Sequence, residues 1–142
     1  MILEDSLTDV ELLLYELRRA GFEPHWQQMA TEPDFLAQRA PPPDIILADY
    51  TLPQFAALRA LRCVQERAPN IPVIMVTSAL SDEAAVACLK QGAADYLLKE
   101  RLGRLGEAVR HALAERDPRV QHRPHMADLT RWFQESHRAV AT

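Results

Sequence analysis

Pro41-Pro42-Pro43-Asp44-Ile45-Ile46-Leu47-Ala48-Asp49 is the stretch that decides how this chain is read. Three prolines, each without a backbone donor, break whatever precedes them. An apolar run then continues without polar alternation and stops on a carboxylate. Such a run is buried on both faces, which is the signature of a strand inside a parallel sheet. Working outward, residues 71–77 repeat the pattern and end on Thr77, and residues 94–98 repeat it and are followed by Lys99. Residues 1–3 form a shorter version followed by Glu4-Asp5, and residues 22–29 form another containing Pro24, which belongs on a sheet edge.

Stretches of helical period separate these runs. Ser6-Leu-Thr-Asp9 opens a helix in the manner of a capping box, with Val10, Leu13, Leu14 and Leu17 on one face and Gly21 as its stop. A short helix is expected over residues 34–39, a longer one over 55–67, and a third capped by Ser81-Asp82-Glu83 and running to about Gln91. The last has Leu102, Leu105, Val109 and Leu113 on one face and closes at Asp117-Pro118. Each parallel connection needs a crossover helix, so five strand-helix units predict an α/β, doubly wound (βα)5 three-layer sandwich of flavodoxin-like strand order 2-1-3-4-5. A closed eight-unit barrel needs about twice the chain. The expected organisation is a domain over residues 1–115, a linker rich in Pro, Arg and His over 116–125, and a helix over 126–142 with Leu129, Trp132 and Phe133 on its apolar face.

Composition excludes several classes. The 142 residues are 48% apolar, with 16 Lys+Arg against 20 Asp+Glu, a size and balance suited to a hydrophobic core without disulfide or metal support. Cys63 and Cys88 lack any paired or metal-ligand spacing and read as small buried apolar residues of a reducing compartment. No apolar run reaches the roughly 18 residues of a membrane span, and acidic Glu4 and Asp5 stand where a secretory leader would be basic, so a cytoplasmic chain is expected. Residues 1–115 hold 11 Lys+Arg against 17 Asp+Glu, and residues 116–142 hold five against three, which is no nucleic-acid-binding face. His111 reads as a surface helix position, and His122 with His125 as part of a solvated linker rather than a metal site.

Sites in open α/β sheets form outside the carboxyl ends of the strands, where the strand order reverses. Glu4, Asp5 and Asp49 would converge there, and three such carboxylates repel unless a cation lies among them; a hard divalent ion, Mg²⁺, suits all-oxygen ligands. Lys99 is one of two lysines against fourteen arginines and lies where its ammonium reaches the same pocket. With the Thr77 hydroxyl, these are parts for phosphoryl transfer.

In that combination and order the chain resembles the receiver domain of response regulators in two-component signalling, over residues 1 to about 115. The family's acidic pair matches Glu4-Asp5, its phosphoacceptor segment Asp49-Tyr-Thr-Leu-Pro53, its hydroxyl residue Thr77, and its last strand Gly92-Ala-Ala-Asp-Tyr-Leu-Leu-Lys99. The resemblance implies that Asp49 accepts a phosphoryl group from a histidine kinase or phosphotransfer protein. It further implies that Asp5, Asp49 and the Thr51 backbone carbonyl bind Mg²⁺ with Glu4 acting through a water, that Thr77 and Lys99 contact the phosphoryl oxygens, and that Thr77 and Tyr96 form the switch. Thr51 and Ala79 would flank the pocket and affect the phosphoryl lifetime. The chain is expected to catalyse only its own phosphorylation and dephosphorylation.

Three departures stand out. The residue after the lysine is usually proline on a cis bond but is Glu100 here, leaving either a trans bond with a rearranged loop or a strained cis bond. The usual glycine eight residues after the phosphoacceptor is Ala57. The first strand is shorter than usual, as in a chain trimmed at its N-terminus. Residues 132–142 weakly resemble the opening of a PAS sensor domain, so an output domain in cis is one expected partner, and a second copy of the chain another. The alternatives are a pseudo-receiver acting as a phosphorylation-independent interaction module, a haloacid-dehalogenase-type phosphatase, which needs an acid where Thr51 stands, and a flavin-binding protein, which needs a phosphate loop after the first strand.

Overall fold

The computed structural model describes residues 1–38, 42–51, 56–78 and 82–116. Five parallel strands, β1 (Ile2–Leu3), β2 (Gln28–Met29), β3 (Ile46–Asp49), β4 (Val73–Thr77) and β5 (Asp95–Leu98), lie in the order β2-β1-β3-β4-β5. Helices α1 (Leu7–Arg19), α2 (Glu32–Leu36), α3 (Ala57–Arg67), α4 (Asp82–Lys90) and α5 (Leu105–Arg116) make the crossovers, with a 3₁₀ stretch Lys99–Arg104 leading into α5. This is the doubly wound sheet expected from the sequence.

Side chains alternate across the sheet, and both faces are covered. Leu3, Ala48, Met75 and Tyr96 pack with Phe35 of α2, Leu61 and Val64 of α3 and Cys88 of α4. Ile2, Leu47, Ile74 and Leu97 pack on the opposite face with Val10, Leu14 and Leu17 of α1 and Leu105 and Val109 of α5. Two covered faces explain why the strands read as continuous apolar runs. Burying a side chain such as Ile74 or Met75, both at 0% exposure, stabilises the fold by about 1.5–3 kcal/mol.

Local chemistry sets the helix ends. The Asp9 backbone N–H donates to Ser6 Oγ at 3.4 Å and starts α1. At its other end Gly21, with φ +97°, allows the Gly21 and Phe22 amides to turn back onto the carbonyls of Arg18 and Leu17. Gly92, with φ +108°, closes α4 in the same way, its own amide meeting Leu89 and that of Ala93 meeting Cys88.

Three expectations are corrected. Residues 22–29 do not form one strand: β2 keeps only Gln28–Met29, because Pro24 offers no donor and an edge strand has a partner on one side alone. The second helix begins two residues earlier than expected, since Thr31 Oγ1 accepts the Asp34 N–H at 3.2 Å and Pro33 fits the first turn. The final helix starts not at Leu102 but at Leu105; Arg101, at φ −133° and ψ 52°, interrupts the turn before it. The expected cap at Ser81, the closure at Asp117-Pro118, and the linker and helix over residues 117–142 lie outside the described residues.

Candidate functional site

All five strands run the same way, so their carboxyl ends bring together residues far apart in sequence. β1 is followed by Glu4 and Asp5, β3 ends on Asp49, β4 on Thr77, and β5 is followed by Lys99. One carboxylate oxygen from each of Glu4, Asp5 and Asp49 lies within 4.8 Å of the others. Glu4 and Asp49 are buried and Asp5 is exposed, so the cluster has a closed floor and an open mouth.

The Lys99 ammonium sits among carboxylates, 2.8 Å from Glu4 Oε2, 3.1 Å from Asp49 Oδ2 and 2.7 Å from Asp9 Oδ2. Both Glu4 oxygens are engaged, because Oε1 accepts the Ser6 N–H at 3.0 Å. Asp49 Oδ1 accepts both the backbone N–H and the hydroxyl of Thr51, each at 3.0 Å. Burial pushes the Glu4 carboxyl up to about 6 despite the hydrogen bonds from Lys99 and Ser6. Burial acts on Asp49 in the same direction but is outweighed by Thr51 and Lys99, which hold that carboxyl below its usual range. The same carboxylates outweigh the burial of Lys99 and keep it firmly protonated.

Thr77 is fully buried and shares a side-chain hydrogen bond with Tyr96, which is itself buried. Burial, above all, raises the Tyr96 phenol. Tyr50 meets the Tyr96 ring edge-on, with centroids 6.4 Å apart and planes at 65°. Ala57 is buried at the start of α3. The Lys99–Glu100 bond is trans, as are all peptide bonds among the described residues. His111 is exposed, as its helix position suggests, and lies 3.1 Å from Glu115. Ala79 lies outside the described residues.

Sequence reasoning missed Asp9 and Tyr50. Asp9 was legible only as an acid in the first turn of the helix that Ser6 caps.

The model of the response regulator receiver domain matches residues 1–110. The chain belongs to this family. The receiver is 35% identical over 125 residues to the response regulator protein PilR of Pseudomonas aeruginosa, covering 87% of this chain and 28% of PilR. It is 34% identical over 82 residues to the DNA-binding transcriptional regulator NtrC of Escherichia coli, covering 54% of this chain and 18% of NtrC. The crystal structure of a CheY-like receiver domain protein from Methanospirillum hungatei superposes with a TM-score of 0.69 at 27% identity, covering 82% of this chain and 93% of that one. The receiver thus spans less than a third of the curated relatives it matches. Among the described residues no helix is long and apolar enough to cross a membrane.

The donor set of the cluster consists of carboxylate oxygens only, which fits a hard divalent cation. Glu4 carries a hydrogen bond on each oxygen and Asp49 carries three across its two, so Asp5, exposed at the mouth, is the carboxylate with most acceptor capacity to spare. Chemically, the pocket combines a buried carboxylate, an ammonium held among carboxylates, two hydroxyls and an adjacent acid pair, all at the carboxyl ends of the strands.

Proposed function

We propose that this receiver is a phosphorylation switch in which Asp49 accepts a phosphoryl group from a histidine kinase or phosphotransfer protein of the cytoplasm. The single observation that carries the reading is the convergence on Asp49 of the Lys99 ammonium, the Thr51 donors and the acid pair. An Asp49 oxygen attacks the phosphorus in line as the phosphorus–nitrogen bond of the phosphohistidine breaks; the imidazole leaves, and an acyl phosphate forms. Asp5 and Asp49, with the Thr51 backbone carbonyl and with Glu4 through a water, are the groups to hold Mg²⁺, which when bound neutralises charge on the transferring group.

Lys99 supplies a preorganised positive charge that needs no rearrangement of solvent. The Thr51 N–H, aimed at Asp49 Oδ1, keeps the carboxylate ionised and oriented. Once the phosphoryl group is in place its oxygens attract the Thr77 hydroxyl, which leaves Tyr96 and frees the phenol to take a new position; the face made by α4, β5 and α5 then repacks. Attack of water on phosphorus breaks the acyl phosphate and resets the switch. Since PilR and NtrC extend well beyond the matched part, the output is supplied by a further domain in cis, with pairing of two receivers as a second route.

Acetyl phosphate with Mg²⁺ tests the reading by intact mass. Wild type gains one phosphoryl group, and Asp49→Asn gains none. Equal labelling of the two proteins would remove Asp49 from its role, and an unlabelled wild type would favour an interaction module that works without phosphorylation.

A further inference from the structure

The third partner of Lys99 has no place in the phosphoacceptor constellation. Asp9 comes from the first turn of α1, and its Oδ2 makes the shortest of the three contacts to the ammonium, 2.7 Å. An ammonium has three protons to donate, and Glu4, Asp49 and Asp9 together occupy all three. Lys99 therefore meets an arriving phosphoryl group with no donor to spare. A phosphoryl dianion spreads its charge over three oxygens, and capturing it draws the lysine away from one or more carboxylates.

The three contacts are not equally easy to give up. Glu4 is buried, its side chain 2% exposed, and losing Lys99 would strand its charge out of water. The contact to Asp49 is already at the reacting group. The Asp9 side chain is 32% exposed, so water replaces the ammonium there at little cost. Asp9 is not one of the three carboxylates whose oxygens lie within 4.8 Å of one another. Its part in starting α1 is played by its backbone N–H on Ser6 Oγ and not by its carboxylate.

We propose that Asp9 is a positioning residue that restrains Lys99, holding the ammonium on the α1 side of the pocket so that its release limits how fast Asp49 is phosphorylated. The inference rests on the reading of Asp49 as phosphoacceptor. With acetyl phosphate as donor, the Asp49 oxygen–phosphorus bond forms as the phosphorus–oxygen bond to acetate breaks, and Lys99 leaves Asp9 for the transferring group.

The test compares initial labelling rates of the full chain under saturating Mg²⁺, followed by intact mass. Asp9→Asn is expected to label about fivefold faster than wild type, which corresponds to ~1 kcal/mol off the barrier. Asp9→Glu returns the rate towards wild type, and Mg²⁺ affinity of Asp9→Asn by calorimetry stays within about twofold. The gain disappears when Asp9→Asn is combined with Lys99→Ala, because the effect passes through the lysine. Damage to the fold lowers labelling and does not raise it, so a faster variant cannot come from a structural role. An Asp9→Asn rate equal to or below wild type, or a gain that survives in the double variant, overturns the proposal while leaving Asp49 in its role. An unlabelled wild type overturns the phosphoacceptor reading, and the inference with it.

Discussion

Removing the ammonium of Lys99 while keeping its aliphatic stem, Lys99→Met, tests the electrostatics of the pocket without any phosphoryl donor. The side chain is 11% exposed and neutralises Glu4 and Asp49, whose side chains are 2% and 5% exposed. Deleting one partner of a buried pair costs about 3–5 kcal/mol, and the half-open contact to Asp9 adds little. Asp49 keeps two donors from Thr51, so the group left most exposed to the loss is Glu4. The variant relieves that charge by protonating Glu4, and because burial already lifts the folded carboxyl to about 6, the expense of protonating it from there caps the damage. At 1.36 kcal/mol per pH unit the cap is about 2 kcal/mol at pH 7.5 and close to zero at pH 5.5, where Glu4 is mostly protonated already. Urea unfolding followed by far-UV circular dichroism, in buffer containing a chelator, is expected to show a loss of about 2 kcal/mol at pH 7.5 and less than about 1 kcal/mol at pH 5.5. A loss below about 1 kcal/mol at pH 7.5, or one as large at pH 5.5, would refute the reasoning.

Other predictions follow from separate parts of the structure. In wild type, burial lifts the folded Glu4 carboxyl above its unfolded 4.5 to about 6, so its contribution is fully present below pH 4.5 and lost as pH rises through about 6. Glu4→Gln should flatten the stability profile across that window, and an unchanged slope would assign it to another group. Asp49 has the opposite sign: its folded carboxyl lies below 3.8, so the stability it adds is present above that pH and disappears on further acidification, a component that Asp49→Asn should remove from an acid titration. Gly92→Ala forces a side chain onto a φ of +108° and into the Gln65 amide, and should destabilise by about 1–2 kcal/mol in chemical denaturation. Burial raises the Cys88 thiol to about 11, so it should resist alkylation at pH 8 until the protein unfolds; rapid native-state reaction at Cys88 by peptide mapping would contradict its place on the buried face of α4.

Much of this architecture was legible along the chain. Apolar runs without alternation identified strands buried on two faces, and the periodic stretches between them demanded crossover helices. Ser6 and Gly21 marked the ends of α1 through short-range backbone chemistry. The strand-end positions of Glu4, Asp5, Asp49, Thr77 and Lys99 pointed to a common pocket because parallel strands must align their carboxyl ends. What was misplaced lay at boundaries. The length of β2 depends on how many donors its single neighbour finds, and the start of α2 on the Thr31 cap together with Pro33 in the first turn.

The tertiary structure settled how the charges inside the pocket are shared. Asp9 and Lys99 are 90 residues apart, and nothing local in either segment indicates that they meet. Their contact arises because the first turn of α1 and the end of β5 overhang the same edge of the sheet. The Thr77–Tyr96 hydrogen bond and the Tyr50–Tyr96 ring contact likewise depend on strand register and on the packing of one layer over another. Periodicity and caps are properties of a few consecutive residues, so the order of the chain carries them. Ion pairing and burial depend on distances in space, which exist only once the layers have closed.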